Sequence, residues 1–98
     1  MLLSVNELKF DWDQWNIQKN EEKHGISQLE AESTFFDRKL KIFDDIKHTT
    51  GKEQRWICYG GSGYHNILMI AFTKRNNKIR IISARRASRK ERKIYEEK

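Results

Sequence analysis

"ILMIAFTKRNNKIRIISAR", residues 67–85, decides the fold. Its first seven residues are almost wholly apolar, the composition of a strand buried within a sheet. "KRNNK" (74–78) then supplies a tight connection, because Asn tolerates the positive φ such turns need. "IRIISAR" (79–85) runs back as a second strand, rich in β-branched residues. A hairpin with so apolar a first arm needs neighbours on both sides.

The flanking sequence provides them. "LKIFDDI" (40–46) and "QRWICYG" (54–60) read as strands, joined through the polar "KHTTGKE" and followed by the turn "GSGYHN". Further upstream the period changes. "LKFDW" (8–12) alternates like a short strand, and "DQWNIQKNEEKHG" (13–25) reads as a helix. Asp13 suits its N-cap and Gly25 its left-handed end, with Lys23 and His24 in the last turn, where positive charge favours the helix dipole. "SQLE" (27–30) opens a second helix, expected to reach about Phe36, and "SRKE" (88–91) opens a third at the C-terminus. The order β-α-α-β-β-β-β-α predicts an α+β fold: an antiparallel sheet with two N-terminal helices and a C-terminal helix covering one face.

The 98 residues suit one domain, with residues 1–7 as a loosely ordered extension. Hydrophobic content of 37% against 35% charged residues is enough for a core and argues against disorder. Cys58 is the sole cysteine, which excludes an intramolecular disulfide and fits a reducing compartment. "MLLSVNEL" lacks the basic start of a signal peptide, and no window is long enough to span a membrane, so the expected location is cytoplasmic. His24, His48, His65 and Cys58 share no ligand spacing, so neither a metal site nor a cofactor is expected. "GGSG" (60–63) lacks the lysine and the strand-to-helix context of a phosphate loop.

Charge is unevenly placed. Residues 74–98 hold 11 Lys/Arg and 3 Asp/Glu, a balance of +8, while residues 1–73 hold 9 and 11, a balance of −2. Strict alternation along 79–85 would put Ile79, Ile81, Ser83 and Arg85 on one face, and Arg80, Ile82, Ala84 and Arg86 on the other. The helix after Ser88 then begins among Arg85, Arg86, Arg89, Lys90 and Arg92 and ends in Glu96 and Glu97. Both placements oppose the dipole, at a cost of about 0.3–1 kcal/mol per exposed charge. Cations beside free N–H groups suit phosphate; a merely solvated basic helix is the plainer reading.

RNA can be cleaved by its own 2′-hydroxyl if a protein moves protons and stabilises charge at phosphorus. His48 or Glu53 could take the proton, and Arg55, Arg80 and Arg85 could stabilise the phosphate. Lys23, His24, Arg86, Arg89 and Tyr95 are further candidates for contact with substrate. Each has a structural reading too: Glu53–Arg55 as a plain ion pair, Tyr95 as a helix anchor, His24 as a last-turn residue.

Three stretches, "FDWDQWNIQKNEEKHGIS" (10–27), "HTTGKEQRWICYGGS" (48–62) and "FTKRNNKIRIISARRASRKERKIYEE" (72–97), resemble the BrnT family of toxins. The matched positions are Asn20, Lys23, His24 and Gly25; His48, Glu53 and Arg55; and Arg80, Ser83, Arg85, Glu91 and Tyr95. Asn16 departs from a usual Lys, Arg38 from a common Pro, and Gly61 from a frequent basic residue. The resemblance implies a fold like RelE-type ribonucleases and the toxin role of a type II toxin–antitoxin pair. It also implies a metal-independent endoribonuclease that inhibits translation. The implied partner is a BrnA-like antitoxin with a DNA-binding domain, forming a hetero-oligomer that reaches operator DNA only through the antitoxin. Two other readings compete. One is a non-catalytic basic module for an acidic partner or nucleic acid. The other is a DNA-binding protein, for which no recognition-helix pattern is present.

Overall fold

The computed structural model describes residues 8–97; the expected extension at 1–7 lies outside them. In chain order the elements are β1 (Phe10–Asp11), α1 (Gln14–His24), α2 (Gln28–Thr34), β2 (Lys41–Asp44), β3 (Arg55–Gly61), β4 (Ile67–Arg75), β5 (Lys78–Arg86) and α3 (Arg89–Glu96). This is the α+β order read from the sequence. The strands form one sheet in the order β1-β5-β4-β3-β2. Its central hairpin, β4 and β5, turns at Asn76 and Asn77, whose φ angles are 52° and 63°.

Local signals fix the helix ends. Asp13 accepts from Trp15 N at 2.8 Å, and Gly25 ends α1 at φ 67°. Ser27 caps α2 through Glu30 N. Glu30 does not complete the capping box. Its carboxylate is buried and accepts from Ser62 Oγ at 2.8 Å and Asn66 Nδ2 at 2.7 Å, tying the β3–β4 turn to α2. α2 stops at Thr34, short of the expected Phe36.

The core lies between the sheet and the N-terminal helices. Leu68, Ile70 and Phe72 from β4 meet Cys58, Ile79, Ile81 and Ala84, with Ile26, Ala31 and Phe35 above them. Trp56 stacks on its cross-strand partner Phe72 at 5.7 Å, and Phe35 meets Phe72 edge-on at 5.1 Å. Such pairs add about 0.5–1.5 kcal/mol each beyond burial. Gly60 is required here: a Cβ would lie 2.6 Å from Leu40 Cδ1 and 2.8 Å from Thr34 Cγ2.

Three features differ from the sequence expectation. First, the sheet is mixed, because β1 pairs parallel with β5 through Phe10↔Ile79 and Asp11↔Arg80. β1 is too short to cover the rest of that edge. Farther along, the amide of Ala84 donates instead to the buried Asn20 Oδ1 at 3.2 Å. Second, strict alternation fails in β5. Phe72 pairs with Ile81 but Ala71 with Ser83, so Ile82 is an extra residue in a bulge. The bulge reverses the phase, and Ile79, Ile81 and Ala84 all face the core. Arg80, Ser83 and Arg85 therefore share the other face, with their partners Thr73, Ala71 and Met69. Third, α3 does not join α1 and α2. Lys41, Tyr59 and Arg85 form one cross-strand row on the outer face. Lys41 Nζ donates to Ile94 O, and Arg85 donates to Glu91, so α3 rests on that outer side.

Candidate active site

The register places five residues in one row across the outer face. Asp11 pairs with Arg80, Arg80 with Thr73 and Thr73 with Arg55. Asp45 extends β2 by one step, its N–H donating to Arg55 O at 2.9 Å. Strands lie about 4.8 Å apart, so Arg55 and Arg80 are on the order of 10 Å apart at Cα. Between them Thr73 is buried, its hydroxyl donating to Gln54 O at 2.7 Å.

The two arginines are held differently. Arg80 Nη1 donates to Asp11 Oδ2 and Nη2 to Asp13 Oδ2, each at 3.1 Å. With a side chain only 19% exposed, Arg80 clamps β1 and the start of α1 to β5. Arg55 donates through Nε to Glu53 Oε1 at 3.0 Å, as their shared face suggested. Its terminal nitrogens carry no hydrogen bond among the described residues. Glu53 also faces Arg75 Nη2 at 3.6 Å, so it bridges two guanidinium groups. The Arg55 backbone is pinned as well, its N–H donating to Thr49 Oγ1 at 2.9 Å.

His48 joins this end of the row. The turn after β2 brings its Nδ1 to 2.9 and 3.1 Å from the two carboxylate oxygens of Asp45. Asp45 is buried, while the His48 side chain is 55% exposed. Thus His48, through Asp45, and Glu53 both connect to Arg55 at one end of the row, while Arg80, two strands away, turns its guanidinium to Asp11 and Asp13. Asp45, Thr73, Arg75 and the clamp Asp11/Asp13 were missed. The signal for Asp45 was its spacing of three before His48, which one turn makes adjacent.

Arg85 does not reach this cluster. It lies opposite Met69, four residues along β4 from Thr73, or about 13 Å. Its fork instead grips Glu91 at 2.7 and 3.0 Å. That bond raises the Arg85 pKa, and it holds the Glu91 carboxyl below its ordinary value against the opposing effect of burial. Ser88 and Glu91 close a full capping box, so the start of α3 offers fewer free N–H groups than the charge run suggested. Arg86 and Arg89 are exposed beside it. Lys23 and His24 end α1 nearby; burial first, then Lys23, Arg85 and Lys19, lower the His24 pKa. Tyr95 is tied down: its hydroxyl donates to Asp37 Oδ2 at 2.6 Å. Burial and that carboxylate push its pKa up to about 12. Burial would raise Asp37, but donors from Tyr95, Gly61 N and Lys39 N hold it low. A residue larger than Gly61 would meet Asp37 and Tyr95 at ordinary contact distance.

The fold itself has a known counterpart among ribonuclease toxins. The fold is similar to the crystal structure of the Brucella abortus ribonuclease toxin, BrnT, with a TM-score of 0.60 and 26% identity. The match covers 84% of this chain and 99% of that one. Residues 12–91 match the family described as "Ribonuclease toxin, BrnT, of type II toxin-antitoxin system". The chain belongs to this BrnT family. No curated protein matches the sequence. No helix among the described residues is long and apolar enough to cross a membrane.

Proposed function

We propose that this protein is a metal-independent endoribonuclease that cuts RNA on the outer sheet face and so inhibits translation. Family membership supports the ribonuclease activity. The observation that carries the site is Arg55, held at Nε by Glu53 with no hydrogen bond on its terminal nitrogens among the described residues, in the same cross-strand row as Arg80 and as Asp45, the partner of His48. Planar forks of this kind match the equatorial oxygens of a phosphorane-like transition state, where hydrogen bonds to charge strengthen most. His48 or Glu53 takes the proton from the 2′-hydroxyl. That oxygen attacks phosphorus, the bond to the 5′-oxygen breaks, and solvent protonates the departing oxygen. The ends left are a 2′,3′-cyclic phosphate and a 5′-hydroxyl. Arg80 orients the row and contributes charge. Arg85, Arg86, Arg89, Lys23 and His24 extend RNA contact beyond the scissile step, and Tyr95 fixes the helix that carries Arg89.

A type II system pairs the toxin with an antitoxin. We assign that role to a BrnA-like protein with a DNA-binding domain, which binds this chain in the cytoplasm and carries the complex to operator DNA. Cleavage of a structured RNA by the purified protein should persist in excess EDTA and disappear in Arg55→Ala. Loss on chelation would remove the metal-free mechanism. Binding of RNA with no cleavage under any condition would leave a non-catalytic basic module. Growth arrest by the chain alone, relieved by coexpressing its genomic neighbour, tests the pairing.

A further inference from the structure

We infer that the proton acceptor is Nε2 of His48 and that Asp45 is the positioning residue that makes it so. This rests on the reading that the outer face cleaves RNA, and it chooses between the two bases left open there. Glu53 is the poorer choice on geometry. One of its oxygens accepts from Arg55 Nε at 3.0 Å and the other lies 3.6 Å from Arg75, so both face guanidinium groups. His48 has the opposite arrangement. Both oxygens of Asp45 lie within hydrogen-bond distance of Nδ1, which places the ring proton there and leaves the Nε2 lone pair free.

The support is rigid. Asp45 is 8% exposed, its N–H is bonded to Arg55 O, and its own carbonyl accepts from His48 N at 3.2 Å and Thr49 N at 2.9 Å. Thr49 in turn holds the Arg55 backbone on both sides, through Arg55 N and Arg55 O. One turn of chain thus sets the imidazole and the phosphate-binding arginine relative to each other. The carboxylate that faces the ring is Asp45; Lys47 adjoins it in the turn, and Glu53, Arg55 and Arg75 are the charged residues at the adjoining ends of β3 and β4. In the reaction Nε2 accepts the 2′-hydroxyl proton as the oxygen–phosphorus bond forms. The imidazolium, stabilised by Asp45, returns that proton to solvent after the products leave.

The test pairs kinetics with the spectrum of one ring. Asp45→Asn keeps the shape but removes the charge. It should lower kcat for a short RNA roughly 100-fold with KM little changed, the size expected when a base loses its orientation. In a His48→Ala background the same change should add almost nothing. An unchanged kcat, or an equal loss in both backgrounds, overturns the assignment. Nitrogen chemical shifts of His48 decide it without catalysis. The native ring should carry its proton on Nδ1 and lose part of that preference in Asp45→Asn; a proton on Nε2 in the native protein refutes the inference. If the wild type cleaves no RNA, the proposed activity falls, and the ring tautomer still tests Asp45 by itself. Should Asp45→Asn not fold, the tautomer of the wild-type ring and the His48→Ala kinetics decide.

Discussion

Both ends of the outer sheet face carry an arginine, a carboxylate and a ring side chain, yet they are built to different ends. At the α3 end Arg85 spends its fork on Glu91, Glu91 also closes the helix cap, and Tyr95 is bolted to Asp37. At the other end Arg55 spends one nitrogen on Glu53, and His48 leaves one ring nitrogen open. An arginine whose two terminal nitrogens grip a carboxylate is committed first to structure. An arginine held at one point and free at the others is oriented for a ligand. The residue type is the same; the unspent hydrogen-bonding capacity differs.

That contrast can be broken by substitution. The largest effect is expected for Arg55→Ala, which should lower RNA cleavage on the order of 100- to 1000-fold while the thermal unfolding midpoint hardly moves. Arg85→Ala should do the reverse. It leaves the Glu91 carboxylate partly buried without its partner, so urea unfolding should show a loss of about 1–2 kcal/mol, with cleavage reduced far less than by Arg55→Ala. Equal effects of the two on cleavage would mean that the ends do not divide labour in this way.

Tyr95→Phe removes one charge-assisted bond from a partly exposed site and should cost about 1 kcal/mol, read in the same urea experiment. Its pH signature is more telling. The folded phenol keeps its proton up to about 12, above the ordinary value of 10.0. The folded state therefore binds the proton more tightly, and stability falls as pH rises from about 10 toward about 12. Tyr95→Phe should flatten that loss. Asp37 and Glu91 work in the other direction, because both are held below their ordinary values of 3.8 and 4.5. Their contribution is present above those values and is lost as pH falls through the lower folded ones. The smallest effect expected is thus a shallow acid loss of stability, weaker still in Asp37→Asn.

Local chemistry was legible in the sequence: the Asn76–Asn77 turn, the Asp13, Ser27 and Ser88 caps and the Gly25 stop all act within a few residues. So was the grouping of His48, Glu53 and Arg55, which lie on one short segment. What escaped depends on distance or on counting. Tyr95 meets Asp37 across 58 positions, and Arg80 meets Asp11 across 69. In "IRIISA" no residue type marks which isoleucine is the extra one, since all three satisfy a strand. With the bulge unseen, Arg80 and Arg85 fall on opposite faces. Glu30 looked like a cap partner because its spacing allowed it, but two donors from the β3–β4 turn compete for the same carboxylate.

The extra residue in β5 also makes chain length matter more than composition there. Ile82 belongs to the phase of the strand rather than to its core. Exchanging it for another β-branched residue leaves the alternation on either side intact. Removing it, or adding a neighbour, would transpose everything beyond: Ala84 would turn outward and Arg85 would be driven beneath the sheet, into the hydrocarbon around Leu68 and Ile70. The charged outer surface and the interior that holds the fold are kept apart by a single count, so this strand can vary in letters but not in length.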